Sequence, residues 1–245
     1  MTQYLFEFIG TLVLVLFGDG VCAATSLNKS KAQGAGWVVV ALAWGLAVMM
    51  GVLIAGPVSG AHLNPAVTLG LAIAGKFGWD LVLGYIVAQM LGGFVGACLV
   101  WVFYKDHYKA TADQPDTILG TFCTIPAIWN PWRNFLSEFI ATCLLVFLIL
   151  AIGTQGNAFQ LGPVNASTGA LGAWPVTCVI MALGMSLGGT TGYAMNPARD
   201  LSPRCAHAVL PIAGKRDSDW GYSWVPVCGP MLGAATAAGL YLLVF

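Results

Sequence analysis

Charge is what this sequence has least of. Only 8% of its 245 residues are Asp, Glu, Lys or Arg, where a soluble domain carries about 25%. So little charge cannot cover a water-facing surface. The 58% hydrophobic content and a mean hydropathy of +0.80 point to a bilayer instead. The apolar runs show no period-2 alternation, which excludes a membrane barrel and leaves helices as the spanning elements. Basic clusters are missing too, and Lys plus Arg balance Asp plus Glu at 10 each, so neither nucleic acid nor an anionic lipid surface is expected as an electrostatic partner. Seven cysteines (Cys22, Cys98, Cys123, Cys143, Cys178, Cys205, Cys228) are scattered through apolar runs. They have neither metal-ligand spacing nor a disulfide framework and read as small packing residues. No catalytic constellation, metal site or cofactor motif is present. Met1-Thr2-Gln3-Tyr4 carries no charged leader region, so the first apolar run is expected to be retained.

What is there is length. Six runs, at about 4–26, 36–55, 81–104, 135–153, 170–187 and 222–245, are each long enough to cross about 30 Å of hydrocarbon. Two shorter apolar segments, 64–75 and 196–207, begin at Asn64-Pro65-Ala66 and Asn196-Pro197-Ala198. Asn is a favoured N-cap, and Pro is favoured at the first helical position because its missing N–H had no partner there. Each tripeptide therefore predicts a helix start at membrane depth, where irregular backbone must line a cavity or be buried in protein. Polar, turn-rich connections are expected at 28–33, 105–133, 154–168 and 215–219.

The chain repeats itself. Glu7-Phe8-Ile9-Gly10-Thr11 returns as Glu138-Phe139-Ile140-Ala141-Thr142, an offset of 131, and Gly60 with its Asn-Pro-Ala returns as Gly192 with the second copy, an offset of 132. Gly92 and Gly96 are paired with Gly229 and Gly233, an offset of 137. Three spans per half force the halves to cross the membrane in opposite directions, with sites expected at the repeat interface near the midplane. The prediction is an all-α membrane protein with six transmembrane helices and two re-entrant half-helices in an inverted 3+3 repeat. It is a single channel domain over 1–245, with repeats at about 1–104 and 134–245 joined by 105–133. The half-helices then meet N-terminus to N-terminus, about 18 Å each, and together make one more membrane crossing.

Such a meeting point concentrates two positive helix ends, which oppose cations and protons. Asn64 and Asn196 are expected to donate to a permeating oxygen. The non-helical stretches before them, Gly60-Ala61-His62-Leu63 and Tyr193-Ala194-Met195, are expected to offer carbonyls. Glu7 and Glu138 sit inside spans, where a carboxyl group is costly and serves either as a proton relay or as acceptor for re-entrant-loop N–H groups. Their occurrence in both halves favours the second. Asp19 is not duplicated and reads as solvated or locally bonded. Arg199 stands where the first repeat has Val67, and it reads as a pore cation in preference to a partner of Asp200, since adjacent helical residues diverge.

The double Asn-Pro-Ala, the paired Glu-Phe-Ile segments and the string Gly192-Tyr193-Ala194-Met195-Asn196-Pro197-Ala198-Arg199 resemble the aquaporin, or major intrinsic protein, superfamily over essentially the whole chain. Asp200, Arg204 and Pro230-Met231 make the chain similar to its bacterial glycerol facilitators, the aquaglyceroporins. The resemblance implies a four-residue selectivity filter of Trp44, Gly184, Tyr193 and Arg199. Gly184 would stand where water-selective members place His, Trp44 and Tyr193 would form an apolar corner, and Arg199 would hold hydroxyls opposite. Tyr193 departs from the Phe more usual there. The resemblance also implies support by Glu7, Glu138 and Asp200, a homotetramer with one pore per subunit, and a plasma-membrane location with cytoplasmic termini. That orientation leaves Lys76 inside and most other bases outside, against the positive-inside tendency.

The function expected is passive passage of glycerol and other small neutral solutes, with water as co-permeant and with protons and ions excluded. Urea, dihydroxyacetone and undissociated lactic acid are further candidates. The alternatives are a water-selective channel and, from another class, an ion-coupled secondary transporter, which also uses inverted repeats and broken helices.

Overall fold

Leu, Val, Ile, Ala and Phe in unbroken runs satisfy their backbone internally as helices, the one solution a bilayer leaves to a single apolar segment. The computed structural model describes residues 1–155 and 172–245, and within them ten α-helices. The first half contains α1 (Thr2–Ser26), α2 (Trp37–Ser59), α3 (Pro65–Ile73) and α4 (Trp79–Phe103). Two short helices follow, α5 (Lys105–Ala110) and α6 (Pro115–Gly120), and then α7 (Pro131–Gln155), α8 (Trp174–Leu187), α9 (Pro197–Val209) and α10 (Val225–Val244). Helices α1, α2, α4, α7 and α10 are long and apolar enough to cross a membrane, and α8 is a shorter apolar helix of 14 residues. The protein is thus a multi-span membrane protein.

Three expectations shift. The connection expected over 105–133 holds α5 and α6, and α7 begins at Pro131, before the expected residue 135. The pair Asn130-Pro131, which reads as a turn, is a helix start like the other two Asn-Pro pairs: Asn130 Oδ1 accepts from Arg133 N at 3.2 Å, and Asn134 Oδ1 accepts from Asn130 N at 2.9 Å. The α2 helix runs to Ser59, past the expected end at 55. The fifth span is α-helical from Trp174; residues 170–171 of that expected span and nearly all of 154–168 lie outside the described residues.

Pairing of the halves is legible in the glycines. A Cβ on Gly92 of α4 would strike Phe8 O and lie 3.1 Å from Leu12 N of α1; a Cβ on Gly233 of α10 would strike Phe139 O and lie 3.0 Å from Cys143 N of α7. Phe8 and Leu12 correspond to Phe139 and Cys143 at the offset of 131, so Gly92 corresponds to Gly233, an offset of 141. The contacts of the half-helices agree: Gly93 packs on Ala198 and Ser202 of α9, and Gly70 of α3 packs on Ala234. The offset of 137 is therefore wrong by about one helical turn. Small residues recur every four positions (Ala88, Gly92, Gly96 against Gly229, Gly233, Ala237), so the stripe matches itself in more than one register. Backbones this close gain dispersion contacts that larger side chains would forbid.

Each half-helix crosses to the other half, α3 against α10 and α9 against α4. Large apolar side chains such as Leu83, Val102, Leu144 and Leu232 face outward, and Trp79, Trp129, Trp132 and Trp220 are exposed near element ends, as in an interfacial aromatic belt.

Candidate functional site

Both Asn-Pro starts form as their residues dictate. Asn64 is extended (φ −159°, ψ 120°) and its Oδ1 accepts from Ala66 N at 2.8 Å. Asn196 (φ −153°, ψ 107°) accepts from Ala198 N at 2.9 Å and Arg199 N at 3.2 Å. With the oxygen committed to the cap, the amide N–H groups turn across the dyad. Asn64 Nδ2 donates to Met195 O and Asn196 Nδ2 donates to Leu63 O, each at 2.8 Å. Exchange of the two halves maps each bond onto the other, the self-complementary pattern of a two-fold axis. One amide N–H of each Asn is thus spent, and one remains. Correspondingly, the Leu63 and Met195 carbonyls already accept a bond, which corrects the expectation that all seven loop carbonyls are open. Those of Gly60, Ala61, His62, Tyr193 and Ala194 accept none from the described residues.

The loops that present these carbonyls are held in an unusual conformation. Gly60 (φ 83°), Ala61 (51°) and Leu63 (52°) match Gly192 (82°), Tyr193 (40°) and Met195 (48°) at the offset of 132. Non-glycine residues pay for positive φ and keep it only where their surroundings enforce it. The enforcers are the two buried glutamates. Glu7 accepts from Ser59 Oγ (2.6 Å), His62 N (2.9 Å), Leu63 N (2.8 Å) and Gln89 Nε2 (2.8 Å). Glu138 accepts from Thr191 Oγ1 (2.6 Å), Ala194 N (2.9 Å) and Met195 N (2.9 Å). Both carboxylates thus serve as acceptors for the loop donors, and on the Glu7 side Gln89 Nε2 also donates to Thr68 Oγ1 (3.0 Å), which lies 3.1 Å from His62 Nδ1. Gln89 has no equivalent in the second half, where the offset of 141 brings Pro230 to its place.

Between the loops lies a cavity of about 170 Å³. Its lining takes polar groups from Gly60, Ala61, His62, Asn64, Tyr193, Ala194, Asn196 and Arg199. The rest of the lining is mainly aliphatic, from Leu14, Val48, Val52, Leu145, Ile149, Val176 and Ile180 among others. Trp44 also lines it, with the Arg199 guanidinium 4.1 Å above its ring centroid. This differs from the expected layout, in which Trp44 and Tyr193 face Arg199 from across the pore; the cation is drawn onto the indole face.

Gly184 differs as well. Its missing Cβ does not open the cavity directly, because Tyr193 fills the space: a Cβ there would lie 2.7 Å from Tyr193 Cζ and 2.8 Å from its Oη. Trp37, which the motifs do not reveal, fixes the pair. Its Nε1 donates to Gly184 O at 2.8 Å and its ring meets Tyr193 edge-on with centroids 5.7 Å apart.

Asp200 points away from the cavity. Its Oδ2 accepts from Thr124 N (2.7 Å) and Oγ1 (2.5 Å), and its Oδ1 accepts from Arg204 Nε (3.1 Å) and Nη2 (2.9 Å). Arg204 goes on to the carbonyls of Thr124, Ser218 and Asp219, tying two loops to α9. The partner of Arg199 is Asp19, at 3.6 Å and buried, which corrects the reading of Asp19 as solvated or locally bonded.

A helical chain whose halves meet at two capped half-helices over a strained, carboxylate-held carbonyl loop has the geometry of one channel architecture, and the family model described as major intrinsic protein matches residues 1–241.

The chain belongs to the major intrinsic protein family.

Among family members, glycerol uptake facilitator protein 3 of Lactiplantibacillus plantarum is 54% identical over 98% of this chain and 95% of its own length. The glycerol uptake facilitator protein of Bacillus subtilis is 49% identical over 100% of this chain and 85% of its own. The solved aquaglyceroporin of Plasmodium falciparum superposes with a TM-score of 0.82 at 30% identity, covering 99% of this chain and 95% of that one. This major intrinsic protein therefore shares the aquaporin-type fold: the shorter α8 takes the place of the fifth span, and α3 and α9 are the re-entrant half-helices.

Proposed function

We propose that the protein is a passive channel for glycerol and small neutral polyols, with water passing alongside and ions and protons held back. The observation that carries this reading is the mixed polar and aliphatic lining of the cavity. A polyol has one edge of C–H and one of O–H, and the walls offer aliphatic side chains to the first and carbonyls, amides and a guanidinium to the second. Trp44, Tyr193 and Arg199 form the selectivity filter in this reading, with Gly184 acting through the room it gives Tyr193. Asn64 and Asn196 donate their remaining amide N–H groups, and Gly60, Ala61, His62, Tyr193 and Ala194 supply acceptors. Glu7, Glu138 and Asp200 support the walls. The protein moves solutes and catalyses no reaction.

Urea, dihydroxyacetone and undissociated lactic acid fit the same chemistry as further permeants. The bonded state of Glu7 and Glu138 supports a channel over an ion-coupled transporter, because neither carboxylate is left to bind a coupling ion. We further propose a homotetramer in the plasma membrane with both termini cytoplasmic.

Stopped-flow light scattering on proteoliposomes tests the function. Glycerol is expected to equilibrate fast, with a rate indifferent to sodium and proton gradients. Accumulation driven by either gradient would replace the channel with a transporter, and water flux without glycerol flux would replace it with a water channel.

A further inference from the structure

Arg199 brings a full positive charge to the cavity wall, and nothing in its own segment cancels it. Its sequence neighbour Asp200 is fully buried and spent on Arg204, itself fully buried, and on Thr124. Glu7 and Glu138 are saturated by the loop donors described above. One carboxylate is left near the guanidinium, and it comes from the other half of the protein: Asp19 Oδ1 lies 3.6 Å from Arg199 Nη1. Asp19 is only 1% exposed. Neither of its oxygens has a hydrogen-bond partner among the described residues, and Arg199 Nη1 has none either.

A buried pair that only held the fold together would be expected to make close, bonded contacts, since burying charge is repaid only with good geometry. Here the two charges sit within ion-pairing range without a hydrogen bond, so what remains between them is mutual neutralisation. Gly18 sets the arrangement, because a Cβ there would overlap the Trp44 ring. The indole therefore packs against α1 one residue from Asp19 and carries the guanidinium on its face. Asp19 does not line the cavity; Arg199 and Trp44 do. Any effect of Asp19 on a permeant runs through Arg199.

We propose that Asp19 is the counter-charge of the constriction, a positioning residue that makes the filter neutral and thereby rejects small anions while neutral hydroxylated solutes pass. This rests on the filter reading given under Proposed function. An uncompensated cation in a narrow cleft of low dielectric enriches anions locally by about 10- to 1,000-fold. With Asp19 in place that enrichment is cancelled, yet Arg199 keeps N–H groups to offer a hydroxyl.

The test uses the full-length protein in proteoliposomes, with iodide influx read by an entrapped halide-sensitive dye under a potassium–valinomycin shunt and glycerol read by light scattering in the same vesicles. In Asp19→Asn, iodide influx is expected to rise by about tenfold or more, with glycerol flux within about threefold of the parent. Asp19→Glu, which keeps the charge, is expected to keep iodide out. The mirror variant Arg199→Gln leaves Asp19 unopposed and is expected to admit sodium, read with a sodium-sensitive dye. Asp19→Asn with glycerol flux intact and iodide influx unchanged overturns the proposal. So does an equal rise in Asp19→Asn and Asp19→Glu, which would mark a packing role. Should Asp19→Asn fail to fold, the mirror variant decides, and absence of sodium influx there overturns the proposal. Failure of the parent protein to pass glycerol would instead overturn the filter reading, whatever the ions do.

Discussion

Gly184 matters for what it leaves to Tyr193. The tyrosine ring occupies the volume a side chain at 184 would need, backed by Trp37 on its edge. A methyl group added there must push the ring toward the cavity, since the far side is filled. Gly184→Ala is therefore expected to reduce glycerol flux by roughly an order of magnitude, as an overpacking strain of about 1–3 kcal/mol borne at the constriction implies. Gly184→Ala combined with Tyr193→Leu is expected to regain most of it. Single-variant flux equal to the parent's would show that the ring does not limit passage. Residues at this scale differ in how far sequence discloses them. Asn64, Asn196 and Arg199 are legible because a cap, a fixed φ and a lone cation carry local rules. Asp19, Trp37 and Thr124 are not: each acts on a residue 76 or more positions away. No local pattern marks an acid in α1 as the partner of a base in α9.

At the scale of elements, α9 is the exception to an apolar protein. It buries Arg199, Asp200, Arg204 and His207 within 13 residues, and it has to be anchored at both ends. Asn196 caps its start. Its end is held by Lys215, whose Nζ donates to His207 O (2.8 Å), Ala208 O (2.7 Å) and Leu210 O (2.7 Å). Those carbonyls would otherwise lack partners, and the ammonium also complements the negative end of the helix dipole. Lys215→Met is expected to cost about 1 kcal/mol, given the partial exposure of the site. It should appear as a fall of a few degrees in the melting temperature followed by tryptophan fluorescence in detergent, smaller at high salt. An unchanged melting temperature would show that water satisfies these carbonyls as well as Lys215 does. In the sequence, Lys215 reads as part of a charged loop and nothing more, because a C-cap supplied from beyond the helix has no fixed spacing. The small-residue stripes of α4 and α10 are legible as stripes for the opposite reason, their strict period of four, and that same period hides their register.

The whole molecule is closed by a pair of bonds at its centre, and their symmetry sets a quantitative expectation. Asn64 and Asn196 each hold their own helix start and reach across to the loop that holds the other. Removal of either side chain loses a cap, about 0.5–2 kcal/mol, and orphans one buried carbonyl, about 1–3 kcal/mol. Since exchange of the halves maps one bond onto the other, Asn64→Ala and Asn196→Ala are expected to lower the melting temperature by similar amounts, with Asn196→Ala slightly worse because its oxygen also accepts from Arg199 N. The double variant is expected to fall short of the sum by about 0.5–3 kcal/mol. Both bonds close a single contact, so the first loss already frees the half-helices that the second would free. Strict additivity in this cycle, read by thermal unfolding of all four proteins in one detergent, would mean that each half-helix is anchored by its own glutamate alone. The two halves would then be neighbours without being coupled at the midplane.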